Sequence, residues 1–172
     1  MKKRVDLPEK KYEGYIFDLD GTLVDSMPLH YRAWREALAR AGAPDHVFRA
    51  DEFYSCGGKS ANDVVRFLNE RYGMHMDAAS TAADKRRIYL EMLEKEGMQP
   101  IQEVVEFVHS LGDAPKAIAT GSAMPGASRT LAAAGLSGLF DVILTPDEVE
   151  HGKPAPDMFL KAAELLGASP DR

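Results

Sequence analysis

Hydrophobic residues follow two patterns along this chain. Three short apolar runs, over residues 15–17, 116–120 and 140–144, are typical of buried strands. Elsewhere apolar residues recur every three or four positions, which predicts amphipathic helices. These helices are expected over 29–41, 60–72, 78–96, 101–111, 125–134 and 156–166.

The order of these elements predicts the fold class. From residue 98 onward helices alternate with strands, which is typical of an α/β fold with a parallel sheet and crossover helices. Residues 28–97 hold helices and a loop at 54–59 but no clear strand, so they are interpreted as an insertion. Gly42, Gly73 and Gly97 are suited to end its helices, and Ser60 to cap the second one.

Composition narrows the class of protein. The chain has 172 residues, enough for one domain or for one domain with a small insertion, and its net charge of -6 provides no basic footprint for nucleic acid. No apolar run is long enough to span a bilayer, and the charged lead-in over 1–13, expected to be loose at its start, lacks a signal-peptide core. The single cysteine, Cys56, is interpreted as a packed or surface residue of a protein in a reducing, cytoplasmic compartment.

Two carboxylates directly follow the first strand. Side chains alternate along a strand, so Asp18 and Asp20 are expected on one side and Leu19 on the other. A cation such as Mg²⁺ would relieve their mutual repulsion, and it keeps waters that leave room for a phosphate. A solvated Asp-x-Asp turn is the commonplace alternative. A calcium loop is excluded, because it needs Gly and Glu where Leu23 and Leu29 stand.

The whole stretch 15–26 closely resembles motif I of the haloacid dehalogenase-like (HAD) hydrolases: an apolar strand, then Asp-x-Asp-Gly-Thr-Leu-Val-Asp-Ser. The resemblance implies that Asp18 is a nucleophile and Asp20 a general acid/base. It also implies that Mg²⁺ binds Asp18 and the backbone carbonyl of Asp20. The dehalogenases themselves generally lack the second Asp, so Asp20 favours phosphoryl transfer.

Two later stretches resemble motifs II and III of the same family. Thr120-Gly121-Ser122 ends the second strand, where hydroxyls and backbone N–H groups can bind a phosphate, although a plain Gly-Ser turn is an alternative. Gly-Lys-Pro-x-Pro-Asp follows the third strand, and Lys153 within it is either a solvated lysine or the cation that offsets charge at the aspartyl group. The resemblance implies phosphate binding by Thr120, Gly121, Ser122 and Lys153.

Motif IV of the family, an acidic pair after a fourth strand, has no match in the sequence. Neither Asp147 nor Asp157 lies where it belongs, so neither is assigned to the metal. In the family the motif I strand lies between the second and fourth strands, and without the fourth it would be an exposed edge. We expect either that the chain is part of a longer, monomeric protein, or that another chain associates with this edge. The 172 residues alone are expected to turn over slowly.

The resemblance also implies a domain organisation and a function. It implies a Rossmann-like HAD core over 1–27 and 98–172, with a C1-type helical cap over 28–97. His30 and Lys59 are candidate substrate residues of that cap, because 28–34 resembles the cap entry of β-phosphoglucomutases and sugar phosphatases. Packing at the hinge is the alternative for His30.

The implied activity is Mg²⁺-dependent hydrolysis of a small phosphate monoester, above all a sugar phosphate, through an aspartyl-phosphate. A β-phosphoglucomutase is the first alternative, and it is disfavoured by Thr22, where the mutases tend to have Val. A fragment that binds phosphate or a partner without turnover is the second alternative.

Overall fold

The sheet at the centre of the molecule is parallel, as predicted. The computed structural model describes residues 12–170, so most of the lead-in and residues 171–172 lie outside it. Three strands, β1 (Tyr15–Phe17), β2 (Lys116–Ala119) and β3 (Val142–Leu144), pair in the order β1-β2-β3. Phe17 is in register with Ile118, and Ile118 with Ile143. The carboxyl ends of all three strands therefore lie at one edge of the sheet.

The helices follow the predicted order. Their bounds are α1 (Met27–Arg40), α2 (Ala50–Ser55), α3 (Ala61–Tyr72), α4 (Ala78–Glu96), α5 (Gln102–Ser110), α6 (Met124–Ala133) and α7 (Asp157–Leu166), with a 3-10 turn at Pro146–Glu148. Residues 28–97 are helical and hold no strand. The predicted α/β fold class is confirmed, whereas the predicted bounds of two strands were too wide, since β2 ends before Thr120 and β3 begins after Asp141.

Local signals explain most of the helix ends. The Ser60 side chain caps α3 by accepting a hydrogen bond from the backbone N–H of Asp63 at 3.2 Å. Gly73 then ends α3 with a φ of 64°, a conformation that glycine adopts without strain. The loop predicted at 54–59 is partly wrong, because Tyr54 and Ser55 belong to the short helix α2. That helix is too short for a periodic apolar pattern to reveal it.

The sheet is the middle of three layers, with helices packed on both of its faces. On one face of the sheet, Phe17 and Ile118 pack in a large core with α5 and α6; on the other, Ala117 and Ala119 pack against α7. Helices on both faces are what a parallel sheet requires, since neither face tolerates water.

Helix α1 joins this core to a second apolar cluster. Ala33 and Ala37 of α1 pack in the large core beside Ile88 of α4. Trp34 and Leu38, one position further along, pack in the second cluster, which consists of residues between 27 and 78. The helical stretch 28–97 therefore has an apolar core of its own and still shares helices with the sheet core.

Strand β1 is an edge strand within the part of the chain that the structure describes. It pairs with β2 on one side, and no further strand lies beside it among residues 12–170. Within the same residues, no helix is both long enough and apolar enough to cross a membrane.

Candidate active site

A cavity of about 570 Å³ opens at the carboxyl edge of the sheet. It lies between the strand ends and the helical stretch, and its wall brings together residues that are distant in sequence. Seven of the residues proposed from sequence line it: Asp18, Asp20, His30, Lys59, Gly121, Ser122 and Lys153. Thr120 lies behind this wall and is fully buried.

Asp18 presents one oxygen to a lysine and the other to the cavity. Its Oδ1 accepts hydrogen bonds from the backbone N–H of Leu19 and from Lys153 Nζ, both at 2.9 Å. Its Oδ2 accepts no hydrogen bond from the described residues. The side chain of Lys153 is 13% exposed and that of Asp18 is 40% exposed, so solvent screens the charge pair from the Asp18 side only. Lys153 is therefore not a solvated surface lysine, which was the alternative interpretation.

Asp20 has both carboxylate oxygens occupied. Oδ1 accepts from Ser26 Oγ at 2.7 Å and lies 3.0 Å from His30 Nε2. Oδ2 accepts from Ser122 Oγ at 2.7 Å and, at 3.5 Å, from Thr120 Oγ1. Burial by itself raises the pKa of Asp20, but the hydrogen bonds from His30, Ser26 and Ser122 outweigh it and hold the pKa well below its ordinary value.

A lysine that the sequence did not single out completes this network. Lys85 of α4 is buried, and its Nζ lies 2.8 Å from His30 Nδ1. Burial lowers the pKa of Lys85 to about 8, although the charge of Asp20 opposes the shift. Burial also lowers the pKa of His30, and the charge of Lys85 acts in the same direction. A pKa below the ordinary value favours the neutral imidazole at neutral pH, and in this form His30 acts on Asp20 as a hydrogen-bond donor.

These contacts assign the tautomer of His30. The Lys85 ammonium has only donors, so Nδ1 must accept from it. The proton of the neutral ring then lies on Nε2, which donates to Asp20 Oδ1. The result is a directed chain of donors from Lys85 through His30 to Asp20. His30 thus contacts Asp20 directly, beyond the hinge packing that was the alternative for it.

Tyr89 holds the imidazole from one side. Its ring stacks on that of His30 with centroids 4.0 Å apart and planes inclined by 10°. Its hydroxyl is 2.8 Å from Thr130 Oγ1 on α6, so one side chain connects α4, α1 and α6. Burial raises the pKa of the Tyr89 phenol, which stays a neutral hydrogen-bonding group.

Glycines bring the loop before α3 close to the strand ends. At Gly58, with a φ of 84°, an added Cβ would lie 3.6 Å from Lys153 Cβ; at Gly121 it would lie 4.0 Å from the carbonyl oxygen of Gly58. The loop therefore packs against the residues after both β2 and β3. Thr120 Oγ1 meanwhile accepts from the backbone N–H of Ser122 at 3.1 Å and faces Asp20. Ser122 is the hydroxyl that reaches the cavity itself.

Two oxygens at the site suit a hard cation. Asp18 Oδ2 and the backbone carbonyl of Asp20 take part in no hydrogen bond with the described residues, whereas the Asp20 carboxylate is fully engaged. Mg²⁺ is commonly held by one or two protein carboxylates together with waters and substrate phosphate. Within residues 12–170, no three His, Cys, Asp or Glu side chains are grouped so that they could hold a metal ion.

Sequence analysis missed Lys85 and Arg86, which also line the cavity. A signal for Lys85 was present, because it interrupts the buried face of α4 between Ala82 and Ile88. A charged residue on an apolar helical face needs a buried partner, and here the partner is His30.

Comparisons with known proteins identify the family of this chain. The model of the haloacid dehalogenase-like hydrolases matches residues 12–172. The fructose-1-phosphate phosphatase YqaB of Escherichia coli (strain K12) is 33% identical over 162 residues, which cover 94% of this chain and 84% of that protein. A β-phosphoglucomutase of Mycobacterium bovis is 33% identical over 96% of this chain and 72% of its own.

A solved structure is similar over nearly the same part of the chain. The structure of a hydrolase from Pseudomonas syringae superimposes with a TM-score of 0.79 at 31% identity, covering 92% of this chain and 72% of that one. The family match spans all three sequence motifs and the parallel sheet at which they meet. The chain therefore belongs to the haloacid dehalogenase-like hydrolases.

Proposed function

We propose that the protein is a phosphatase that hydrolyses the phosphate monoester of a small sugar or polyol through an aspartyl-phosphate at Asp18. The observation that carries this proposal is the asymmetric environment of Asp18. One oxygen is held by Lys153 at 2.9 Å, and the other is free towards a cavity large enough for a small sugar phosphate. A carboxylate so oriented can attack phosphorus in line with the leaving alcohol.

In the first step, Asp18 forms a bond to phosphorus while the bond from phosphorus to the ester oxygen breaks. Asp20 gives a proton to the departing alkoxide, which leaves as the free alcohol. In the second step, water attacks the aspartyl-phosphate, Asp20 takes its proton, and inorganic phosphate leaves with Asp18 regenerated. The pKa of Asp20 is low without substrate, but a phosphate dianion beside it disfavours the carboxylate and raises that pKa.

The remaining side chains position these two carboxylates and the phosphoryl group. Lys153 and the hydroxyl and N–H groups of Ser122 are suited to bind phosphoryl oxygens as charge develops on them. Thr120 and Gly121 shape the same turn. His30 and Lys85 act as positioning residues for Asp20. Bound Mg²⁺, held by Asp18 and the backbone carbonyl of Asp20, would supply positive charge that offsets repulsion between Asp18 and the phosphate.

We also propose that residues 28–97 act as a cap over a core formed by 1–27 and 98–172. The apolar cluster confined to residues 27–78 supports this division, as does the contact of Gly58 with the loop of Lys153. Lys59, which follows Gly58, would then face the bound substrate. A single free and buried cysteine, Cys56, agrees with a cytoplasmic location.

A β-phosphoglucomutase activity is the second candidate, favoured by the similarity to the Mycobacterium bovis mutase. The experiment that separates the two measures released phosphate and isomerised product with hexose, pentose and hexitol phosphates in the presence of Mg²⁺. We expect slow release of free phosphate from several esters and none with the Asp18→Asn variant, which controls for contaminating phosphatases. Faster formation of glucose 6-phosphate from β-glucose 1-phosphate than of free phosphate would replace the phosphatase with the mutase. Binding without any turnover would favour the fragment alternative.

A further inference from the structure

Three consecutive basic residues of α4 lie in three different environments. Lys85 is buried and bonded to His30. Arg87 lies on the outer surface, where it pairs with Asp84 at 2.5 Å and with Glu91 at 2.6 Å. Arg86, between them, lines the cavity.

Arg86 has no carboxylate partner. Within the described residues, no Asp or Glu oxygen lies within the 4.0 Å of an ion pair with it, although its neighbour Arg87 has two such partners. Leu90, one helical turn further along, lines the cavity as well, so this row of α4 faces the site. The guanidinium of Arg86 is exposed and therefore available to a molecule that occupies the cavity.

The other charges of the cavity wall leave Arg86 uncompensated. Asp18 is paired with Lys153, and Asp20 is bonded to His30 and two serine hydroxyls. Asp147 is the further carboxylate that faces the cavity, and it is exposed and forms no ion pair with a described residue. Lys59 also lines the cavity and forms no ion pair with a described residue, so two unpaired cations face the cavity in a chain of net charge -6. The planar fork of the Arg86 guanidinium matches the two oxygens of a carboxylate or a phosphate.

We propose that Arg86 binds a second anionic group on the organic part of the substrate, so that the preferred substrates are sugar phosphates that carry a carboxylate or a further phosphate. This inference rests on the proposed phosphatase function. It assigns to Arg86 a role in choosing the substrate, separate from the groups that bind the transferring phosphate.

The test compares three compounds of one carbon skeleton: glucose 6-phosphate, 6-phosphogluconate and glucose 1,6-bisphosphate. The variant is Arg86→Ala, and Arg87→Ala is the matched control on the outer surface of the same helix. We expect Arg86→Ala to lower kcat/KM for the two doubly substituted compounds about tenfold, equivalent to about 1.4 kcal/mol. Glucose 6-phosphate should change less than about twofold, Arg87→Ala should change none of the three, and Arg86→Lys should keep part of the preference.

Three outcomes overturn the inference. An equal loss for all three compounds means that Arg86 only steers anions, and an unchanged preference means that it is a solvated surface residue. A loss confined to 6-phosphogluconate or to glucose 1,6-bisphosphate supports the inference and identifies the second group as a carboxylate or a phosphate, respectively, whereas a loss confined to glucose 6-phosphate overturns it. Calorimetry in the Asp18→Asn background, with and without Arg86→Ala, measures dissociation constants for the same three compounds. The ratio of the constants with and without Arg86→Ala then gives the contribution of Arg86 to each compound without turnover. If the wild type releases no phosphate from any ester, the proposed function fails, and this binding ratio still decides the role of Arg86.

Discussion

Lys85 Nζ lies 2.8 Å from His30 Nδ1, although the two residues are 55 positions apart in sequence. The contact is buried, and the other ring nitrogen of His30 contacts the carboxylate of Asp20. An ammonium, an imidazole and a carboxylate in one buried line hold each other in place, because each would be costly to bury alone. The proposed acid/base is therefore held by His30 of the helical stretch as well as by Ser26 and Ser122 near the strand ends.

Asp18→Asn is expected to abolish covalent phosphorylation while leaving the fold intact. The amide has nearly the shape of the carboxylate but lacks the nucleophilic charge. Trapping with beryllofluoride, which mimics the aspartyl-phosphate, measures this directly. Asp25→Asn is a suitable control, because Asp25 is an exposed carboxylate of the same stretch that does not line the cavity. Equal trapping by Asp18→Asn and wild type would show that another residue is the nucleophile.

His30→Leu, which has no donor, is expected to lower kcat by about 10²-fold or more, the range of a misplaced acid/base. Loss of the Nε2 donor removes a cause that lowers the pKa of Asp20, so that pKa should rise. The acidic limb of the pH profile of kcat, which reports Asp20 as the base of the second step, should therefore move to higher pH. The comparison variant is His109→Leu, since His109 is exposed on α5. An unshifted profile contradicts the contact between His30 and Asp20.

Lys85→Met is expected to change how stability depends on pH. Lys85 has a pKa of about 8 in the folded protein and 10.5 as its ordinary value. Between these values the unfolded chain binds more protons than the folded one, so the free energy of unfolding rises with pH there. From pH 8 to 9.5 this rise is on the order of 1–2 kcal/mol in wild type and should be missing in the variant.

Urea denaturation at pH 7, 8 and 9.5 measures the Lys85 effect as a difference between the two proteins. The difference cancels the titration of lysines and tyrosines that the variant retains. The variant should also lose activity, since His30 Nδ1 loses its donor. Parallel stability curves for wild type and Lys85→Met would contradict the depressed pKa.

The Tyr89–Thr130 contact is expected to couple α4 to α6 by about 1 kcal/mol, the usual net value of a buried hydrogen bond. Tyr89→Phe, Thr130→Val and the double variant form a cycle that isolates this coupling. Both groups are buried, so each single change leaves the remaining hydroxyl without this partner and should destabilise the fold, whereas the double variant removes both polar groups. Additive effects of the two changes on the free energy of unfolding would show that the 2.8 Å contact contributes no coupling.

Much of the fold was predictable from sequence because its signals are local. The strand before Asp18 is a short apolar run, and the ends of α3 and α4 are set by Gly73 and Gly97, with Ser60 as a cap. The order of the three motifs then predicted that Asp18, Ser122 and Lys153 would meet, because parallel strands bring their carboxyl ends to one edge. The family assignment, a hydrolase, is confirmed on the same residues.

Sequence by itself determined the parallel sheet, the helical insertion and the carboxylates at the end of β1. Only the tertiary structure decided the environments of Lys85, Arg86 and Arg87, which form one basic run in the sequence. The helical rotation turns them towards His30, the cavity and solvent, respectively. Their environments depend on contacts with residues that are distant in sequence, such as His30 of α1. A pattern of neighbouring residues cannot predict such contacts.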